Sequence, residues 1–165
     1  MSTTFYSKKF NWETSVSVKH AVKLVEAGTE GIAFRLSLDS KDDWAILSGC
    51  LKASTSCKAL DFKGCGIKQD GAFSLAQILS DENLIQYLYM YDNQIGDNGT
   101  RVIAECLQSS AAASLTYISL SKNNIGDIGA RYIGEFLENN NSLLFLGLGS
   151  NKIGDEGAKY IARGL

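Results

Sequence analysis

The sequence contains no proline in 165 residues, a single histidine, and 16 Lys and Arg against 18 Asp and Glu, for a formal net charge of −2. Each shortage excludes something. Without proline, no residue has its φ locked or lacks a backbone N–H. One imidazole rules out any site built on two or more histidines of one chain. The near balance of charge lacks the clustered Lys and Arg with which a dedicated nucleic-acid binder displaces counterions. No apolar run approaches the roughly 18 residues of a membrane span. Met1–Lys9 has neither the apolar core of a signal peptide nor a lipidation signature. The four cysteines, Cys50, Cys57, Cys65 and Cys106, form no C-x-x-C pair. With no secretory signal they read as free buried thiols in a reducing compartment, which points to the cytoplasm. What remains, 45% hydrophobic and 21% charged, is the composition of a folded chain of one-domain length.

The dominant feature is repetition. Four segments align: CKALDFKGCGIKQDGAFSLAQIL from Cys57, IQYLYMYDNQIGDNGTRVIAECL from Ile85, LTYISLSKNNIGDIGARYIGEFL from Leu115 and LLFLGLGSNKIGDEGAKYIARGL from Leu143. Their starts lie 28, 30 and 28 residues apart, and the two extra residues fall in Ser109–Ser114, read as a loop. Each unit runs L-x-x-L-x-L-x-x-(N/C)-x-I and then turns helical. Leu146 and Leu148 alternate with Phe145, Gly147 and Gly149, the period of a short strand with one buried face. Asn93, Asn123 and Asn151 stand where the chain turns, and a buried amide there can pair with backbone groups of adjacent units. Cys65 takes that place in the first unit and can do so only weakly, so that unit is expected to be looser. Asp97, Asp127 and Asp155 are placed as N-caps of the helices that follow. Gly99, Gly129 and Gly157, with Gly71 in register, are expected to allow close approach of helix to strand. Ile103/Leu107, Ile133/Leu137 and Ile161/Leu165 give the i, i+4 spacing of a buried helical face. One strand–helix pair cannot bury its apolar face alone, but stacked pairs can. The expected fold is therefore an α/β solenoid, a horseshoe with parallel strands on the concave face and helices on the convex face.

At these residues the sequence resembles the leucine-rich repeat family, and its 28-residue N-x-I-G-D-x-G-A unit resembles the ribonuclease-inhibitor-like subclass. The resemblance spans residues 57–165. It implies a protein-binding module, since such repeats serve as enzyme inhibitors, as sensor domains of innate-immunity receptors and as effectors of intracellular bacteria. The regular units rich in Asn, Lys and Ser are most similar to the last group, which implies action in a host cytoplasm reached without a signal peptide.

Residues 1–56 read as an N-terminal cap helix, Val16–Glu26, followed by a degenerate first repeat with a strand at Ile32–Leu38 and a helix at Trp44–Leu51; residues 57–165 read as four repeats. Leu165 is equivalent to Leu137, so the array reaches residue 165 with no recognisable cap. Either the sequence is cut from a longer protein, or a short frayed end is tolerated, or a partner covers it.

Residues between the strand leucines face away from the helices. Tyr87, Tyr89 and Tyr91 lie along one strand, and Tyr87 continues across strands as Ala59, Tyr117 and Phe145. Tyrosine is enriched in binding hot spots because it offers large area and little rotamer entropy to lose, although cross-strand pairing alone also explains such rows. Arg35, Asp61, Lys63, Asp92 and Lys122 surround the rings and can orient a partner by charge. Chemistry has little support: His20, between Lys19 and Lys23, reads as solvated, no cysteine has an evident base, and no metal-ligand or phosphate-loop spacing occurs. No catalytic residue, cofactor or metal is expected. The reading is a non-enzymatic module, monomeric when unbound, that binds another protein, an enzyme or effector, through a concave aromatic face. It leaves open a GTPase-activating regulator of the Ran-type repeat class and a small-ligand or glycan sensor stacking on the tyrosines.

Overall fold

The computed structural model describes residues 12–15, 17–38, 40–79, 85–108 and 114–165. Six strand–helix units follow one another: β1 (Trp12–Ser15) and α1 (Val18–Glu26), β2 (Gly31–Phe34) and α2 (Lys41–Lys52), β3 (Ala59–Asp61) and α3 (Gln69–Leu79), β4 (Tyr87–Tyr89) and α4 (Gly96–Leu107), β5 (Tyr117–Ser119) and α5 (Asp127–Leu137), and β6 (Phe145–Gly147) and α6 (Asp155–Gly164). The strands form one parallel sheet in chain order. Its register places Gly31 opposite Ala59, Ala59 opposite Tyr87, Tyr87 opposite Tyr117 and Tyr117 opposite Phe145, so the pitch of the repeat is the pitch of the sheet. Helices pack against their chain neighbours. The molecule is the expected solenoid: α/β, with parallel strands on one face and helices on the other.

Burial follows the alternation. The central residue of each short strand, Leu60, Leu88 or Ile118, is buried toward the helices, while Tyr87, Tyr89, Tyr117 and Ser119 beside it are half-buried. Helical positions Leu75, Ile103 and Ile133 close the core from the other side. At the N-terminal end the core is aromatic. Phe34 and Phe62 stack at 4.5 Å, Trp44 tilts against Phe62 at 5.8 Å, and the Trp44 indole N–H donates to Leu38 O.

Two polar ladders tie the units together. Asn93 donates to Phe62 O and Met90 O and accepts from Ile67 N. Asn123 donates to Met90 O and Leu120 O and accepts from Ile95 N, and Asn151 donates to Leu120 O and Leu148 O and accepts from Ile125 N. Each amide thus satisfies backbone groups of its own unit and the one before, as the spacing predicts. Cys65 makes the same gesture with a thiol, to Phe34 O at 3.6 Å, where the amides reach 2.7–3.0 Å.

The second ladder corrects the sequence reading. Asp97 and Asp127 do not cap their own helices: α4, α5 and α6 have Ile95, Gly126 and Gly154 at their N-caps, with no side-chain cap bond. Asp97 Oδ1 instead accepts from the N–H of Gly126 (2.6 Å) and Gly129 (3.0 Å) of the next unit. Asp127 Oδ1 accepts from Gly154 (2.7 Å) and Gly157 (3.0 Å). A carboxylate at a helix N-terminus makes charge-assisted bonds to orphan N–H groups, and here it does so across the unit boundary. The glycines allow close approach at every unit, since a Cβ at Gly71, Gly99, Gly129 or Gly157 would lie within 2.6–2.9 Å of Cγ2 of the isoleucine four residues before it; at Gly129 and Gly157 the carboxylate adds to this, 2.7 Å from Asp97 Oδ1 and 2.5 Å from Asp127 Oδ1.

Other differences are local. The first strand, β1, was not anticipated; it pairs Trp12 with Gly31, off the 28-residue pitch. The expected cap helix begins at Val18, with Ser17 Oγ accepting from His20 N; Val16 lies outside the described residues. The strand expected over Ile32–Leu38 spans Gly31–Phe34, because the chain then turns so that Leu38 N donates to Cys65 O. The helix expected over Trp44–Leu51 starts at Lys41, where Ser40 Oγ caps Asp42 N. Of Ser109–Ser114, residues 109–113 lie outside the described residues. His20 is half-buried rather than solvated, and its Nδ1 is buried with no hydrogen bond among the described residues.

Candidate functional site

The face of the sheet away from the helices carries every candidate residue. Parallel strands sit roughly 4.8 Å apart, close enough for rings at equivalent positions to meet. They do meet. Tyr117 is the hub: its ring lies 5.9 Å from Tyr87, 4.8 Å from Tyr89 and 4.3 Å from Phe145, the last pair parallel to within 2°. The row Tyr87–Tyr117–Phe145 is therefore one column of stacked rings, and cross-strand packing, the structural explanation for such a row, operates here. The column also keeps an open side: the three tyrosines are half-buried and Phe145 is 45% exposed. Gly147 helps, since a Cβ there would lie 3.3 Å from the Phe145 ring.

The polar candidates form two groups. Arg35 Nη2 bonds Asp61 Oδ2 at 3.0 Å, and Asp61 Oδ1 accepts from Lys63 N. Asp61 sits opposite Tyr89 in the sheet and both orients Arg35 and fixes the turn after β3. The second group surrounds Tyr91, with Lys63 and Lys122 ammoniums 5.1 and 5.8 Å from its ring centre, within cation–π reach. Lys122 also pairs with Asp92 at 2.9 Å. That hydrogen bond, with the attraction of the Asp92 charge, raises the Lys122 pKa and keeps the ammonium charged. Asp92 and Lys122 occupy the same repeat position as Gly64 and Ser150, with φ of 61°, 59°, 66° and 58°. The turns after β3, β4, β5 and β6 thus each pass through a left-handed residue, where glycine is at ease and a side chain is held at some cost.

The ring column, the Tyr91 group and the Arg35–Asp61 pair thus share one continuous face. The reading from sequence omitted Ser119, which lies between Tyr89 and Gly147 in the register and makes a small polar lane beside the rings; the Y-I-S-L-S alternation of its strand carried that signal. Chemistry based on cysteine finds no support. Burial pushes Cys57 up to about 12 and raises Cys50 and Cys65, so all three stay thiols. Among the described residues no cluster of His, Cys, Asp or Glu is arranged to hold a metal. No helix among them is long and apolar enough to cross a membrane.

Comparison with known proteins adds to this geometry. No curated protein sequence matches the chain. The solved C-terminal domain of tropomodulin from Caenorhabditis elegans superposes with a TM-score of 0.69 at 13% identity, over 90% of both chains. A structure described as leiomodin-1 actin-binding site 2 superposes with a TM-score of 0.69 at 18% identity, over 88% of this chain and 87% of that one. Residues 111–134 and 139–162 match the sequence family described as Leucine Rich repeat, so the chain carries leucine-rich repeats in a solenoid of the kind seen in those two structures.

Proposed function

We propose that this chain is a non-enzymatic protein-binding module that holds a partner protein against its concave aromatic face. The observation that carries this reading is the Tyr87–Tyr117–Phe145 column with Tyr89 beside it, a stacked aromatic surface half-buried along the tyrosines and exposed at Phe145. Rings locked by stacking have little rotamer freedom left to lose, so a partner gains their area at low entropic cost. Tyr91 between two lysines, Asp92, Asp61 and Arg35 supply a charged rim of the kind that orients and selects partners. The likeness to a domain described as an actin-binding site supports protein binding in kind, and makes actin the first purified candidate.

The finer reading is inhibition of an enzyme or effector by occlusion. The 28-residue pitch and N-x-I-G-D-x-G-A units favour the ribonuclease-inhibitor-like subclass and an effector of an intracellular bacterium. We place the protein in the cytoplasm, as a monomer when unbound, with residues 1–56 serving as cap and first repeat and 57–165 as the repeat array. The glycan-sensor alternative rests on the same rings, and predicts saturable tyrosine fluorescence changes with a sugar and no protein partner. A Ran-type GTPase-activating role predicts faster GTP hydrolysis by a small GTPase.

Affinity capture with the wild type and with Tyr87→Ala/Tyr89→Ala/Tyr91→Ala, the latter verified as folded by circular dichroism, tests the proposal. A protein held by the wild type and lost by the folded variant supports it. Equal retention by both moves the site off this face.

A further inference from the structure

The middle of the concave face offers hydrogen-bond donors and withholds acceptors. Asp61 and Asp92, the carboxylates at its charged end, are already engaged. Asp61 takes Arg35 Nη2 and the N–H of Lys63 on its two oxygens, and Asp92 takes Lys122 Nζ at 2.9 Å. The donors beside them are free. The sheet ladder continues past the strand ends, with Gly64 N donating to Tyr91 O and Asp92 N to Ser121 O, so Lys63, Tyr91 and Ser121 stand abreast on three neighbouring units. Their side chains, and that of Ser119 one step along, make no hydrogen bond or ion pair among the described residues. Lys63 is exposed, and Tyr91, Ser119 and Ser121 are half-buried. The Lys63 and Lys122 ammoniums lie 5.1 and 5.8 Å from the Tyr91 ring centre, and of these two only Lys122 has a counter-ion among the described residues.

We propose that the segment of the partner protein held on this face is acidic, and that Lys63 receives one of its carboxylates beside the ring column. The proposal rests on the reading of this face as a protein-binding surface and adds the chemistry of what it binds. Charge complementarity carries it. An ammonium without a counter-ion and a row of free hydroxyls need acceptors that a partner brings, and an ionised carboxylate is acceptor only. Charge-assisted bonds of this kind are roughly twice as strong as neutral ones. A basic segment would meet Lys63 with like charge and find Asp61 and Asp92 already paired. The same segment carries an apolar side chain for the rings. Tyr87 and Tyr91 are four residues apart, about 13 Å of extended chain, so a short extended stretch lying along the strand reaches both the ring column and Lys63.

The test pans the full chain against a display library of random dodecapeptides and measures the enriched peptides, once synthesised, by fluorescence anisotropy. The wild type enriches peptides that combine Asp or Glu with an aromatic or large aliphatic residue. Lys63→Glu, verified as folded by circular dichroism, weakens such a peptide at least about tenfold. A lysine in place of the peptide's acidic residue recovers most of that loss on the Lys63→Glu protein. Lys63→Gln, which brings no new charge beside Asp61, gives a smaller loss and serves in its place if Lys63→Glu fails to fold. No enriched peptide, enriched peptides without an acidic residue, or equal binding by the wild type and folded Lys63→Gln overturns the proposal. The underlying reading fails by a different sign. A loss on Tyr117→Ala with none on Lys63→Gln removes the acidic specificity and leaves the rings a binding surface. A loss on Lys63→Gln with none on Tyr117→Ala keeps the carboxylate site and removes the rings from it.

Discussion

The two ends of the solenoid hold their units together by different means. Toward the N-terminus, β2 to α3 close around large side chains: Phe34, Phe62 and Leu47 are fully buried, and Trp44 is 5% exposed. The amide rung is missing there, replaced by a long thiol contact from Cys65. Toward the C-terminus, β4 to α6 carry smaller side chains and two polar ladders that repeat at each boundary. Leu146, Leu148, Ile153 and Ile161 of the last unit are only half-buried. One end is held by apolar packing that tolerates irregular sequence, the other by backbone-directed hydrogen bonds that demand Asn, Asp and Gly at fixed places. That demand is why the later units are so alike in sequence and the earlier ones are not.

The contrast can be broken from either side. The largest effect is expected at the aromatic end: Phe62→Ala removes a ring in contact with both Phe34 and Trp44, and should cost about 3–5 kcal/mol in urea unfolding. Next is Asn123→Ala, which strands buried backbone groups of two units and should cost about 2–4 kcal/mol. Asn151→Ala, half-exposed, should cost roughly half as much as Asn123→Ala. Gly157→Ala drives a methyl against Asp127 Oδ1 and should cost about 1–3 kcal/mol, relieved in part by Asp127→Ala in a double-mutant cycle.

Alkali gives a smaller effect. Burial raises the Cys57 pKa from 9.0 to about 12, so the folded state holds a proton that the unfolded state releases. The stability this contributes is fully present below pH 9 and is lost as pH rises from about 9 to about 12. At pH 10 the loss should be roughly 1 kcal/mol, and absent in Cys57→Ala relative to its own value at pH 7. Cys65→Asn sharpens the comparison with the opposite sign: restoring the amide rung should stabilise the protein by about 1 kcal/mol.

The parts legible in the sequence are those whose signal is local or strictly periodic. Leucine alternation gave the strands, i, i+4 spacing the helices, and the equivalence of Tyr87, Tyr117 and Phe145 the aromatic row. Asp97 and Asp127 were misread because a helix start looks capped by its own aspartate when one unit is considered alone. The true acceptor–donor pairs lie 27 to 32 positions apart, and only stacking brings them together. The first strand escaped notice because Trp12 pairs with Gly31, a shorter step than the repeat. His20 looked solvated between two lysines, since helical periodicity cannot show which other segment covers it. Facing identified the ring positions, but whether rings stack, splay or do both depends on side-chain geometry that no spacing encodes.

The central claim is that the stacked rings are a binding surface rather than sheet reinforcement alone, and Tyr117 is the residue on which the two accounts divide. The decisive measurement is the equilibrium affinity of the captured partner for the wild type, for Tyr117→Ala, and for Ile46→Ala on the opposite, exposed helical face, each verified as folded by its amide spectrum. The claim predicts at least a tenfold loss for Tyr117→Ala and wild-type affinity for Ile46→Ala. Wild-type affinity for a folded Tyr117→Ala would contradict it and leave the column with a purely structural role.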